Sequence, residues 1–243
     1  MTNQPPSRWP WIMLVSRISL FIGIQALFAL GFWLAGSSAA WEFSANWWPF
    51  VVTIANFICV ALLVRLFKQE GKRFWDIFHI QKEHLKSDLL ALLGLLIILG
   101  PVSYLPNVWL GGLLFGDPQR SLDLMLRPLP LWAVYAGIFL FPVTQGLAEL
   151  ATYFAYVMPK LESQGMPRWL AVSLASLFLA FQHIAVPLLF DTRYIVWRGL
   201  MFIPFAFLAG IVLRWRPRLL PYLAIVHALM DMFFATMLLS VAY

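Results

Sequence analysis

Apolar runs long enough to cross a bilayer recur along the chain, separated by short polar breaks. A helix rises 1.5 Å per residue and bilayer hydrocarbon is about 30 Å thick, so about 20 apolar residues make one crossing. The pattern predicts seven spans, over residues 11–36, 48–67, 89–114, 130–158, 168–190, 196–214 and 219–242. The connection at 107–129 has room for a short re-entrant or surface segment. The stretch "GKRFWDIFHIQKEHLKSD" spaces Phe74, Ile77, Phe78 and Leu85 along one helical face opposite Lys and Glu. It predicts an amphipathic helix lying on the cytoplasmic membrane surface, with His79 and His84 as solvated polar residues. No internal repeat or low-complexity tract interrupts this order. The expected fold is therefore all-α: one polytopic bundle over residues 1–243, with a surface helix.

Composition narrows the class. The chain is 62% apolar and 12% charged, with mean hydropathy +0.80. Soluble domains carry about 25% charged residues. The opening "MTNQPPSRWPW" lacks a small-residue cleavage site, so the first run reads as a retained span. Cys59 is the single cysteine and reads as a small core residue. The net charge of +6 fits loops facing anionic lipid rather than nucleic acid. Arg8 and the segments 65–88, 159–168 and 214–218 share one side and hold 12 of the 17 basic residues. Arg120, Arg127, Arg193 and Arg198 lie on the other, and Arg17 is expected to snorkel from within the first span. The positive-inside rule then puts the N-terminus in the cytoplasm and, with an odd number of spans, the C-terminus outside. Short loops and compact length lead us to expect a bacterial inner (plasma) membrane. Trp9, Trp11, Trp47, Trp48, Trp109, Trp132, Trp169, Trp197 and Trp215 are expected to form an interfacial belt.

Candidate chemistry comes from the ionisable residues deep in the spans. Glu149 and Asp231 are the acidic residues there, and His183 and His227 the histidines. Buried charge in a bilayer is costly and usually marks a site. Counted from the predicted cytoplasmic ends, Glu149 lies roughly 13 Å deep, His227 roughly 12 Å, Asp231 roughly 18 Å and His183 roughly 22 Å. Three different spans thus deliver them to one slab. His227 and Asp231, four residues apart, share a helix face. The plainer reading is polar glue between helices, but glue is usually Ser, Thr, Asn or Gln. Gln145 and Tyr153 stand one turn either side of Glu149 and can support its carboxylate. Pro142 and Gly146 can kink the same helix.

These residues resemble the CPBP family of CAAX proteases and bacteriocin-processing enzymes, also called the Abi family, which includes the Ras-converting CAAX protease. Its first motif, Glu-Glu-x-x-x-Arg, is matched in frame by "ELATYFAYVMPKLE", with Glu149 first and Tyr156, Pro159, Lys160 and Leu161 following. The second, Phe-x-x-x-His, resembles "LAFQH", with Leu179 in the Phe place and His183 last. The third, His-x-x-x-Asn, resembles "HALMD", His227 to Asp231. The resemblance covers about residues 85–240. Three positions depart: Leu150 replaces the second Glu, Phe154 the Arg and Asp231 the Asn.

The resemblance implies an intramembrane endopeptidase acting on a membrane-associated peptide or protein. Glu149, assisted by His183, would activate a water; His227 and Asp231 would polarise the scissile carbonyl. An Asn amide donates to an oxyanion, whereas an Asp must be protonated to do so. No Ser or Cys nucleophile stands beside a His within the spans, so covalent catalysis is not expected. Three alternatives stay open. A catalytically altered relative would bind membrane partners without cleaving them. A metal-dependent hydrolase would hold zinc on Glu149, His183, His227 and Asp231, although no His-Glu-x-x-His is present. A proton-coupled transporter would use the same groups as a relay.

Overall fold

A computed structural model describes residues 7–243; residues 1–6 of the opening stretch lie outside the described residues. Among the described residues the chain is predominantly helical, and six helical segments are long and apolar enough to span a membrane: Trp9–Leu34, Trp48–Gln69, Phe74–Phe115, Leu131–Ser163, Thr192–Trp215 and Pro217–Val241. It is an all-α, polytopic, membrane-type bundle. The helices are α1 (Trp9–Leu34), α2 (Ala40–Asn46), α3 (Trp48–Gln69), α4 (Leu85–Phe115) and α5 (Pro118–Asp123), followed by α6 (Leu131–Leu150), α7 (Met158–Ser163), α8 (Arg168–Phe181), α9 (Thr192–Met201), α10 (Ile203–Trp215) and α11 (Leu220–Thr236).

The fifth predicted crossing is made differently from the others. α8 has only 14 residues and ends in a 3-10 turn, Gln182–Ile184. An irregular stretch then completes the passage. At one end of the bundle, Gln164 Nε2 donates to the Ser7 carbonyl at 2.8 Å, and Lys160 pairs with Glu70 at 2.6 Å. Arg214–Glu162, at 2.6 Å, lies at the same end. At the other end, Trp41 Nε1 donates to the Leu188 carbonyl at 2.9 Å, and Tyr243 N to the Leu129 carbonyl at 3.1 Å. The chain therefore changes ends between 168 and 188, and the basic segments gather at one end.

Three expectations change. Segment 71–88 is not one amphipathic helix. Two 3-10 turns, Phe74–Phe78 and Lys82–His84, are joined through extended residues. Phe74 is buried in edge contact with Phe67 and Phe78, which ties the segment to the end of α3 instead of laying it flat. Trp48 and Trp197 leave the expected interfacial belt for the core. Their indole N–H groups find internal acceptors, the Met125 carbonyl at 3.1 Å and Asn107 Oδ1 at 3.0 Å. Arg17 does not snorkel; it is fully buried. The segment expected at 107–129 is α5, capped by Asp117, which accepts from Gln119 N at 2.9 Å.

α4 is a thin outer element. It runs 31 residues with Pro101 and Pro106 inside it, and Leu93, Ile97, Leu105 and Trp109 are exposed. α6 and α11 form the close central pair. A Cβ at Gly146 would lie 2.8 Å from the Ala224 carbonyl oxygen and 3.1 Å from Ala228 Cβ. Gly146 therefore lets two backbones meet, as small residues do between membrane helices, and this pairing sets α11 beside Glu149.

Candidate functional site

Glu149 lies on the last turn of α6, and π-helical backbone follows it over Ala151–Val157. A π stretch adds a residue to each turn and changes which face a helix presents. The irregularity thus comes after the carboxylate rather than at Pro142, which remains within α6. Leu150 and Phe154, at the departing motif places, are buried. Phe154 sits so close to Gly210 that a Cβ there would meet its ring at 2.9 Å. An apolar pair at these two places leaves no orphan charge in the core.

The structure brings all four predicted residues together. His227 Nε2 lies 3.5 Å from Glu149 Oε1 and 3.1 Å from Asp231 Oδ2; His183 Nε2 lies 3.8 Å from Glu149 Oε2. Glu149 is fully buried, and His183, His227 and Asp231 are partly exposed to the cavities beside it. Gln145 donates to Glu149 Oε2, as its spacing suggested. Tyr153 does not; its hydroxyl points to Gln182 Oε1 at 3.4 Å.

The two imidazoles play opposite parts. His183 Nδ1 lies 2.9 Å from the Leu179 carbonyl oxygen and 3.2 Å from that of Ala180. Carbonyls only accept, so Nδ1 carries the hydrogen, and in the neutral ring Nε2 is a lone pair facing Glu149. His227 Nε2 instead faces two carboxylate oxygens, which places a hydrogen there. Glu149 Oε1 and Asp231 Oδ2 are buried polar atoms without an aligned hydrogen bond. Among the described residues, no group of three or more His, Cys, Asp or Glu side chains is arranged to hold a metal ion.

Sequence reasoning missed the surrounding shell. Arg17 Nε, Nη1 and Nη2 donate to Gln182 Oε1 at 2.5 Å, Asn56 Oδ1 at 2.7 Å and Gln145 Oε1 at 2.8 Å. Gln182 Nε2 donates to Glu149 Oε2 at 2.7 Å. Arg198, expected at the far side, is buried and clamps the turn after His183, donating to the His183 and Val186 carbonyls at 3.1 and 3.0 Å. Asp191 starts α9 by accepting from Tyr194 N, a contact that holds its carboxyl below the ordinary range. A charge at Arg17 and at Arg198 inside apolar runs was the available signal.

Two cavities meet at Glu149. The smaller, about 80 Å³, is lined by Glu149, His183, His227 and Asp231 with apolar neighbours including Leu99 and Phe205. The larger, about 380 Å³, shares Glu149, His183 and Asp231 and is walled by Trp48, Phe141, Trp197, Phe233 and several methionines. It is large enough for a ligand-sized group and mostly apolar. No match to a family model, to a characterised protein or to a solved structure was found.

Proposed function

We propose that the chain is an intramembrane peptidase of the CPBP type, cleaving a membrane-associated peptide or protein with a water activated by Glu149. The observation that supports it most is the meeting of one carboxylate with two imidazoles of opposite hydrogen-bonding sense beside a membrane-buried pocket. Glu149 Oε2 is occupied by two amide donors, so Oε1 is the oxygen left to take a proton. The water oxygen bonds to the scissile carbonyl carbon while its proton passes to Glu149, with the His183 Nε2 lone pair orienting the same water. The His227 N–H donates to the oxyanion, with Asp231 beside it, its Oδ2 3.1 Å from the same nitrogen. Collapse breaks the C–N bond, and Glu149 returns the proton to the departing amine. The apolar chamber receives the side chains or lipid-like parts next to the cleaved bond.

In this reading the basic end faces the cytoplasm of a bacterial inner membrane, because most Lys and Arg gather there. The test is cleavage of single-span and lipid-modified peptides by the full chain in lipid vesicles. Wild type should cut at least one and Glu149→Gln none, while both remain folded. Capture of a peptide without cleavage would make the chain a binding protein instead.

A further inference from the structure

Arg17 lies on α1, remote in sequence from every candidate catalytic group, and is 0% exposed with the Phe21 ring 5.2 Å away. Its nearest nitrogen is 3.8 Å from Glu149 Oε2, too far for a direct hydrogen bond. Between them stand two amides, Gln145 and Gln182. A guanidinium only donates and an ionised carboxylate only accepts. An amide between the two satisfies both in one orientation: oxygen towards Arg17, NH2 towards Glu149. Both glutamines stand that way. Asn56 closes the network, accepting from Arg17 at 2.7 Å and donating to Gln145 Oε1 at 3.0 Å and Thr144 Oγ1 at 3.1 Å.

We infer that Arg17 is a positioning residue for Glu149, fixing the sense of the Gln145 and Gln182 amides so that they grip Oε2 and leave Oε1 to the pocket. Without the guanidinium each amide can turn over and present oxygen to oxygen. The carboxylate then loses both its grip and its defined direction. A guanidinium that merely joined α1 to its neighbours would affect stability and leave the state of Glu149 alone. The inference rests on Glu149 being the reacting carboxylate, so its test needs a readout besides turnover.

Arg17→Met and Arg17→Lys full-length proteins would be reconstituted in vesicles. Infrared difference spectra, each variant against the same protein carrying Glu149→Gln, isolate the Glu149 carboxylate stretch. Arg17→Met should move that band and lower kcat about 100-fold with KM within about threefold, since the loss is one of alignment. Arg17→Lys keeps the charge without the planar fork. It should shift the band less and lower kcat about 10-fold. A band unmoved in a folded variant, or kcat within about threefold of wild type, overturns the inference. If Arg17→Met does not fold, Arg17→Lys decides by the same criteria. If wild type cleaves nothing, the band alone decides the role of Arg17, and the peptidase reading falls separately.

Discussion

Replacing Gly146 with alanine tests whether the site depends on the closeness of α6 and α11. The new Cβ would lie 2.8 Å from the Ala224 carbonyl oxygen, against 3.4 Å where ordinary contact begins. The obstacle is backbone, which cannot swing aside, so the helices must part by about 0.6 Å, the difference of those distances. If that movement reaches the site in full, the His227–Glu149 separation grows from 3.5 Å to about 4.1 Å. Overpacking of this kind costs about 1–3 kcal/mol. A misplacement of 1 Å can lower turnover about 100-fold, so 0.6 Å predicts about 10-fold. Thermal unfolding in detergent and peptide turnover in vesicles measure the two effects. Gly23→Ala is the control, because its Cβ meets nothing within 4 Å. The reasoning fails if Gly146→Ala is as stable and as active as Gly23→Ala.

Asp231→Asn should preserve or raise turnover, since an amide donates to an oxyanion without needing a proton; loss of activity restored by added zinc would instead make Asp231 a metal ligand, and a chelator would then inactivate wild type. Asp191→Ala should cost about 1 kcal/mol by removing the N-cap of α9, read from the thermal midpoint; no change would mean that the start of α9 does not depend on this cap. A reporter after Tyr243 should be extracytoplasmic and one near Gly71 cytoplasmic; equal access to both from the cytoplasm would mean a missed or extra span.

The bundle was legible because membrane helices announce themselves by length and apolarity alone. The four central site residues were legible because a carboxylate or imidazole inside an apolar run is conspicuous, and counting residues from span ends placed them at one depth. The shell around them was hidden for a different reason. Arg17, Asn56 and Gln182 come from separate elements, and which face of α1 meets α3 and the turn after α8 is decided by packing. Arg17 near a helix start reads as a snorkelling residue until Asn56, Gln145 and Gln182 are seen to satisfy it. Trp48 and Trp197 were misplaced because an indole near a span end has two homes, interface and core, and only an internal acceptor distinguishes them. Segment 71–88 has a helical spacing of apolar residues, but tertiary burial of Phe74 overrides it.

α4 is a helix out of scale with its surroundings. Its 31 residues measure about 46 Å, against about 30 Å of hydrocarbon. The surplus can be taken up by the polar first turn with Lys86 and Asp88, by lean, and by bends at Pro101 and Pro106, where proline removes backbone hydrogen bonds. The same helix supplies Leu99, Gly100, Ser103, Tyr104 and Asn107 to the cavity walls. Thicker lipid would draw α4 upright and thinner lipid would lay it over, changing the width of the chamber next to Glu149. Acyl-chain length of the host bilayer would thereby bear on the shape of that chamber, a setting made by the membrane rather than by any ligand.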